Sequence, residues 1–389
     1  MNMALQKLKL RDVCEIDGAR NLHSNMPYVG MEDIESNTGR FLGQLTPRGV
    51  KSITFYFTPE HLLYGRLRPY LNKVLLPDFN GHCSTEIFPL KPKGLIDKTF
   101  LFYWITSEPI LEKINKTCTG ARMPRANMEQ VLDLEMQVPT LQEQKRIVAV
   151  LDKACGAIAK AKISAEKNLA NARELFDSYL KNVFANPGIG WEENNLGTVC
   201  EVKDGTHDSP QYLPEGIPFV TQKNITENGL DITNTKRISI ADHENFYRRS
   251  NVSKGDILIS MIGANRGMSC LVNEATVFSI KNVGLVKATP KVNQGYLLYF
   301  LKSPKAKEYI SRYSKGGAQE FIGLTELRKF PILFAPLAEQ GRIVAKLDAI
   351  SAETNGLEAI YQQKFIDLDE LKKSILQKAF SGELAGVKS

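Results

Sequence analysis

The chain has 389 residues, 43% hydrophobic and 24% charged, which exceeds one hydrophobic core and excludes a disordered or fibrous chain. Two globular domains are therefore expected. The formal net charge of +7 tilts toward a polyanionic partner without reaching the balance of a purely electrostatic binder.

From the start, Met1 to Asp12 carries scattered lysines and no apolar stretch suited to a secretory signal. The most apolar run, Phe100 to Ile105, falls far short of the roughly 18–20 residues that span a bilayer. A cytoplasmic location is expected. Cys14, Cys83, Cys118, Cys155, Cys200 and Cys270 are widely spaced, so neither a zinc knuckle nor a redox pair forms locally, and packed, reduced thiols are expected. His82 and Cys83 would point to opposite faces of a strand, so no metal site is expected.

Ser52 to Phe57 and Asp256 to Ile262 read as strands, and Tyr296 to Tyr313 reads as a helix. The dominant signal is a repeat: LQEQKRIVAVLD from Leu141 returns as LAEQGRIVAKLD from Leu337, and the register holds through Phe184 and Phe380. In both copies apolar residues recur mostly three or four apart, in the first at Ile147, Leu151, Ala154, Ile158, Ala161, Ala165, Leu169, Ala172, Phe176, Tyr179 and Val183. The spacing predicts two long helices, each roughly 66 Å at about 1.5 Å per residue. Pro139 and Pro336 stand before them, and Asn186-Pro187-Gly188 stops the first. A narrow stripe on so long a helix needs a partner, and the equivalent stripe of the repeat supplies one; an antiparallel pair is the favoured arrangement, packing of each helix on its adjacent domain alone being the alternative. Thr354 and Lys372 interrupt the second stripe.

The segments before these helices are duplicated and diverged: Val29 to Ile34 parallels Val220 to Ile225, Leu62 to Val74 parallels Ile257 to Val272, and Phe100 to Ser107 parallels Tyr296 to Ser303. The expected fold class is α+β, with two mixed α/β domains, two long helices in an antiparallel coiled coil, and a pseudo-two-fold internal repeat. The boundaries are 1–138 and 188–335 for the domains, and 139–187 and 336–389 for the spacer helices.

Taken together, the doubled LxEQxRIVAxLD string behind two variable globules, KDGTHDSP from Lys203, GDILISMIGANRG from Gly255 and LRPYLNKV from Leu67 resemble the specificity subunits of type I restriction and modification systems. The resemblance covers essentially the whole chain. It implies a DNA-binding, non-catalytic subunit, a bipartite asymmetric target with one domain per half-site, two copies of an adenine methyltransferase subunit, and a translocating nuclease subunit for cleavage. It also implies no cofactor in this chain, S-adenosylmethionine being bound by the methyltransferase. One departure is Gly341, a poor helix former, where the first copy has Lys145.

Reading DNA needs cations for phosphates and forked donors or amides for base edges. The richest cluster is Arg66, Arg68, Tyr70, Asn72 and Lys73, with Arg66 and Arg68 expected on one strand face and Pro69 favouring a protruding loop. A second comprises Arg122 and Arg125 near Gly120, matched by Lys315 and Gln319 near Gly316-Gly317. In the second domain Lys203, Thr206, His207, Asp208, Lys223, Asn265 and Arg266 are candidates. Each competes with the blander reading of an exposed turn. The first turns of the helices, Glu143, Gln144 and Arg146 with Glu339, Gln340 and Arg342, are the expected partner-docking residues. A catalytic reading finds no support: no glycine-rich cofactor loop with an Asn or Asp followed by Pro-Pro-aromatic occurs, and Asp78 with Glu86 lacks the lysine a metal-dependent nuclease needs. A purely structural scaffold does not account for two large, differing globules.

Overall fold

The computed structural model describes residues 6–18, 20–23, 25–273, 277–316, 320–381 and 383. It divides into two compact units, Met1–Glu166 with Tyr361–Ser389, and Lys167–Ile360. Each unit therefore joins one recognition domain to half of both long helices.

The helices run over Leu141–Ala185 and Leu337–Phe380, where the periodicity and the flanking prolines place them. In the first unit, Ile147 and Leu151 share a core with Ile375, Leu376 and Ala379. In the second, Leu180 and Phe184 share a core with Ile343 and Leu347. The start of each helix thus meets the end of the other, which is antiparallel pairing. Thr354, the polar exception in the stripe, is buried, and Lys372 donates to the Asn37 carbonyl at 2.7 Å.

Each recognition domain is built on a four-stranded antiparallel sheet of one order. In the first unit the order is Cys14–Ile16, Ile87–Pro92, Leu62–Gly65 and Val74–Leu75. In the second it is Val202–Asp204, Val283–Val286, Ile257–Ser260 and Ser269–Leu271. A further sheet in each contains a parallel pair, Tyr28–Val29 with Gly81–Cys83 and Ile217–Val220 with Ser279–Ile280. The helix expected over Tyr296 to Tyr313 is two helices, Gln294–Lys302 and Pro304–Tyr313, because Pro304 cannot continue the first and Ser303 caps the second. Thr106 and Ser107 likewise separate Lys98–Ile105 from Glu108–Lys116.

The repeated motif is explained by these helices. Asp97 caps the Lys98–Ile105 helix, and its own N–H donates to Gln144 at 2.7 Å. Asn293 caps the Gln294–Lys302 helix, and its N–H donates to Gln340 at 2.8 Å. Eight residues further into the chain in each copy, Asp152 accepts from the Tyr103 hydroxyl and Asp348 from Tyr299, both at 2.6 Å. Burial and the carboxylate push both phenols above their ordinary range. The glutamine and aspartate of each copy therefore grip one turn each of the domain's own helix.

Candidate nucleic-acid interface

In both units the segment that follows the central strand is laced to a hairpin that arrives from the end of the helix pair. In the first, Arg68 N–H donates to the Pro124 carbonyl at 2.7 Å and Ala126 N–H to Arg66 at 2.9 Å. In the second, Gly263 N–H donates to Glu320 at 3.0 Å and Ile322 N–H to Met261 at 2.9 Å. The hairpins are closed by the bridges Thr119–Arg125 and Lys315–Phe321. Two candidate clusters that lie about fifty positions apart in sequence are thus one structure in each domain.

Side chains lock the frame differently. In the first unit Glu86 accepts from Arg66 Nε at 3.0 Å and from Arg125 Nη2 at 2.8 Å. Burial alone would raise the Glu86 pKa, but the hydrogen bonds from Arg125 and Arg66 outweigh it and hold the carboxyl below its ordinary range. Arg66 also lies over the Phe88 ring, 5.2 Å from its centroid. In the second unit Arg266 donates to Ser314 Oγ at 2.7 Å and to the Gly263 carbonyl at 2.9 Å, and pairs with Glu320.

These contacts correct several expectations. Arg66 and Arg68 do not share a strand face: the strand ends at Gly65, Arg68 takes a left-handed conformation with φ 50°, and Pro69–Leu71 is a 3-10 turn. Arg66, Arg125 and Arg266 are spent on the frame. Asn72 is buried with its amide on the Thr106 carbonyl at 2.9 Å, and Lys73 donates to the Met31 carbonyl at 2.6 Å. Arg68, Tyr70 and Arg122 are exposed, and among the described residues the guanidiniums of Arg68 and Arg122 have no side-chain partner.

In the second unit Asn265 and Lys315 are the exposed counterparts. Gln319 lies outside the described residues. The Lys203–Pro210 stretch forms a second surface: Gly205 is required there because an added Cβ would collide with the Ile280 carbonyl. Thr206 is buried and bonds Asp208 at 3.1 Å. His207 is held between Asn282 Oδ1 at 2.6 Å and Asp204 at 3.2 Å, and Asp204 in turn accepts from Arg249 at 2.7 Å. Lys203 pairs with Glu201 at 3.1 Å, while Lys223 is exposed.

Partner-docking expectations are revised on the same grounds. Gln144 and Gln340 are buried and hydrogen-bonded inside their own units, Gln144 also donating to Leu95 and Pro139, and Gln340 to Ala335. Glu143 is nearly buried against Arg146, at 2.6 Å. Glu339 is half-buried and Arg342 exposed.

Glu86, Glu320, Asp204 and Arg249 are residues of this candidate interface that the sequence did not single out as such. Glu86 was visible only as an isolated carboxylate, and nothing local pairs it with arginines 20 and 39 residues away. Burial raises the thiol pKa of Cys14 to about 12 and those of Cys200 and Cys270 to about 11. Among the described residues no group of three His, Cys, Asp or Glu could hold a metal ion, and no helix is long and apolar enough to cross a membrane.

Two differing domains share one frame, and each is clasped by a repeated helix, which defines a duplicated two-domain protein. The chain belongs to the family of the type I restriction modification DNA specificity domain, whose model matches residues 4–166 and 188–364. It is a specificity subunit that recognises DNA sequence. It is 21% identical over 406 residues to the type I restriction enzyme EcoBI specificity subunit of Escherichia coli, spanning 94% of this chain and 81% of that one. With the EcoDI specificity subunit of Escherichia coli it shares 27% over 191 residues, 46% of this chain and 43% of that subunit. Its fold is similar to a solved chain from work on complex assembly and conformational transition of the type I R-M system (TM-score 0.80, 21% identity, 98% and 99% covered). It is also similar to the HsdS subunit from Thermoanaerobacter tengcongensis (TM-score 0.62, 22% identity, 97% and 96% covered).

Proposed function

We propose that this chain reads a bipartite, asymmetric duplex DNA target, one half-site per recognition domain, and carries two copies of an adenine methyltransferase subunit. The single observation that supports this most is the loop-and-hairpin frame, which recurs in both units with different exposed side chains: Arg68, Tyr70 and Arg122 in one, Asn265 and Lys315 in the other. A shared frame suits a shared docking geometry, and unlike side chains suit unlike half-sites. His207, Asp208 and Lys223 are assigned to the second half-site with Asn265 and Lys315.

The long helices carry the docking surface. Val150, Ile163 and Leu371 in the first unit and Leu175 and Ile360 in the second are exposed apolar side chains on them, and a partner that covers them gains the apolar burial. Arg146 in the first unit and Arg342 in the second are assigned to partner docking. Methyl transfer, with its S-adenosylmethionine, belongs to the methyltransferase, cleavage to a translocating nuclease subunit, and the complex works in the cytoplasm with the DNA it reads.

The test is to express this chain with its methyltransferase subunit and sequence the methylated adenines. Two unlike half-sites at fixed spacing are expected. A palindromic or sequence-independent pattern would reject the reading, as would methyl transfer by the purified chain alone.

A further inference from the structure

We infer that Arg68 is the base-reading side chain of the first recognition domain, and that it takes a guanine edge in the major groove. This deepens the proposed sequence-reading function and rests on it.

The hydrogen bonds of the two frames correspond. Arg68 and Gly263 occupy the same place: each follows the central strand by three residues, each donates its N–H to the hairpin, and each has positive φ, 50° and 80°. The frame requires a left-handed residue there. Glycine adopts that conformation without penalty, whereas an arginine is strained by its Cβ. The first domain retains the strain, and the side chain it gains is exposed and unpartnered among the described residues. Arg66 and Arg125 are held by Glu86 and Lys73 by Met31, which leaves Arg122 on the hairpin as the other exposed cation of these candidates.

The Arg68 backbone is also hydrogen-bonded through both its N–H and its carbonyl. It is held on one side by Pro124, and its own carbonyl accepts from Leu71 at 2.9 Å. Pro69 follows it, and the buried Asn72 amide fastens the far end of the turn to Thr106. A guanidinium on a rigid base loses little freedom when it docks, and its fork matches guanine O6 and N7.

The full chain, assembled with its methyltransferase subunits, should be used to select duplexes from a randomised DNA library, beside Arg68→Gly and Arg68→Lys. In Arg68→Gly we expect preference at one G·C pair of one half-site to fall about tenfold or more, every other position to be kept, and Tm to rise by about 2–4 °C as the strain is relieved. Arg68→Lys should keep affinity and lose the same preference, because it retains charge without the fork. Uniform loss across sequences, an unchanged profile, or a fall in Tm with Arg68→Gly would each overturn the assignment while leaving the sequence-reading function standing. A wild-type complex that selected no sequence would overturn both.

Discussion

The turn that leads into the central strand is built on a histidine in one domain and an aspartate in the other. In the first, Thr58 N–H donates to His61 Nδ1 at 3.0 Å, and the other ring nitrogen meets Asp17 at 3.2 Å. In the second, Ser253 N–H donates to Asp256 at 2.8 Å, and the same carboxylate takes Lys287 at 2.6 Å and Ala288 N–H at 2.8 Å. Both side chains are buried. A neutral ring suffices where its partner lies at the surface, whereas a buried carboxylate needs a cation and several donors. The backbone frame is common, and the chemistry that satisfies it has been rebuilt. The same holds for the clamps, where one carboxylate gathers two arginines in the first domain and one arginine gathers three acceptors in the second.

The comparison can be broken most strongly at the turn. Asp256→Ala strands the Lys287 charge and should destabilise the second unit by about 3–5 kcal/mol. His61→Ala removes a neutral partner and should cost the first unit about 1–3 kcal/mol. Hydrogen exchange followed separately in peptides of each unit would report the two losses, and equal losses would show that charge does not distinguish the turns.

Next come the repeated glutamines. Gln144→Ala and Gln340→Ala each leave a capping N–H and at least one carbonyl unbonded, at a cost of about 2–3 kcal/mol. Methyltransferase assembly should fall only as far as the folded fraction falls. If thermal stability were unchanged while assembly was lost, the motif would be a docking surface after all.

A smaller effect, about 1–3 kcal/mol, is expected from Glu86→Gln, which weakens two charge-assisted bonds. Because the folded carboxyl lies below its ordinary value of 4.5, its contribution is complete above that value and is lost as pH falls through the folded value. Urea midpoints of the first unit should therefore drop below about pH 4.5 in the wild type, and more shallowly in the variant. A variant with the same acid slope would remove Glu86 from the frame's stability.

The smallest expected change is Gly263→Arg, which gives the second domain the first domain's residue. An added Cβ meets nothing within 4 Å, so the cost is the left-handed backbone alone, about 1–2 kcal/mol. Library selection should then show a new preference at one base pair of the second half-site. A profile identical to the wild type would mean that the position is not equivalent in the two domains.

Much of this was legible in the sequence, for a physical reason. The long helices announce themselves because a helix stripe, a proline before it and a proline-glycine stop are local patterns, and the repeat doubled every signal. Ser52 to Phe57 and Asp256 to Ile262 are strands over four residues each, at Thr54–Phe57 and Ile257–Ser260, because alternation and β-branching are also local. The residues that can reach DNA are another matter. Arg66, Arg68 and Lys73 look alike in a string, yet only the fold brings Glu86 to Arg66, the Met31 carbonyl to Lys73, and nothing among the described residues to Arg68. The glutamines of the repeated motif were conspicuous, but their burial depends on caps formed 47 residues earlier. Local propensity and periodicity are written in neighbouring residues, and so the sequence by itself determined the two domains, their helices and their duplication. Which cations are neutralised and which remain available depends on contacts closed across long loops, and that only the tertiary structure decided.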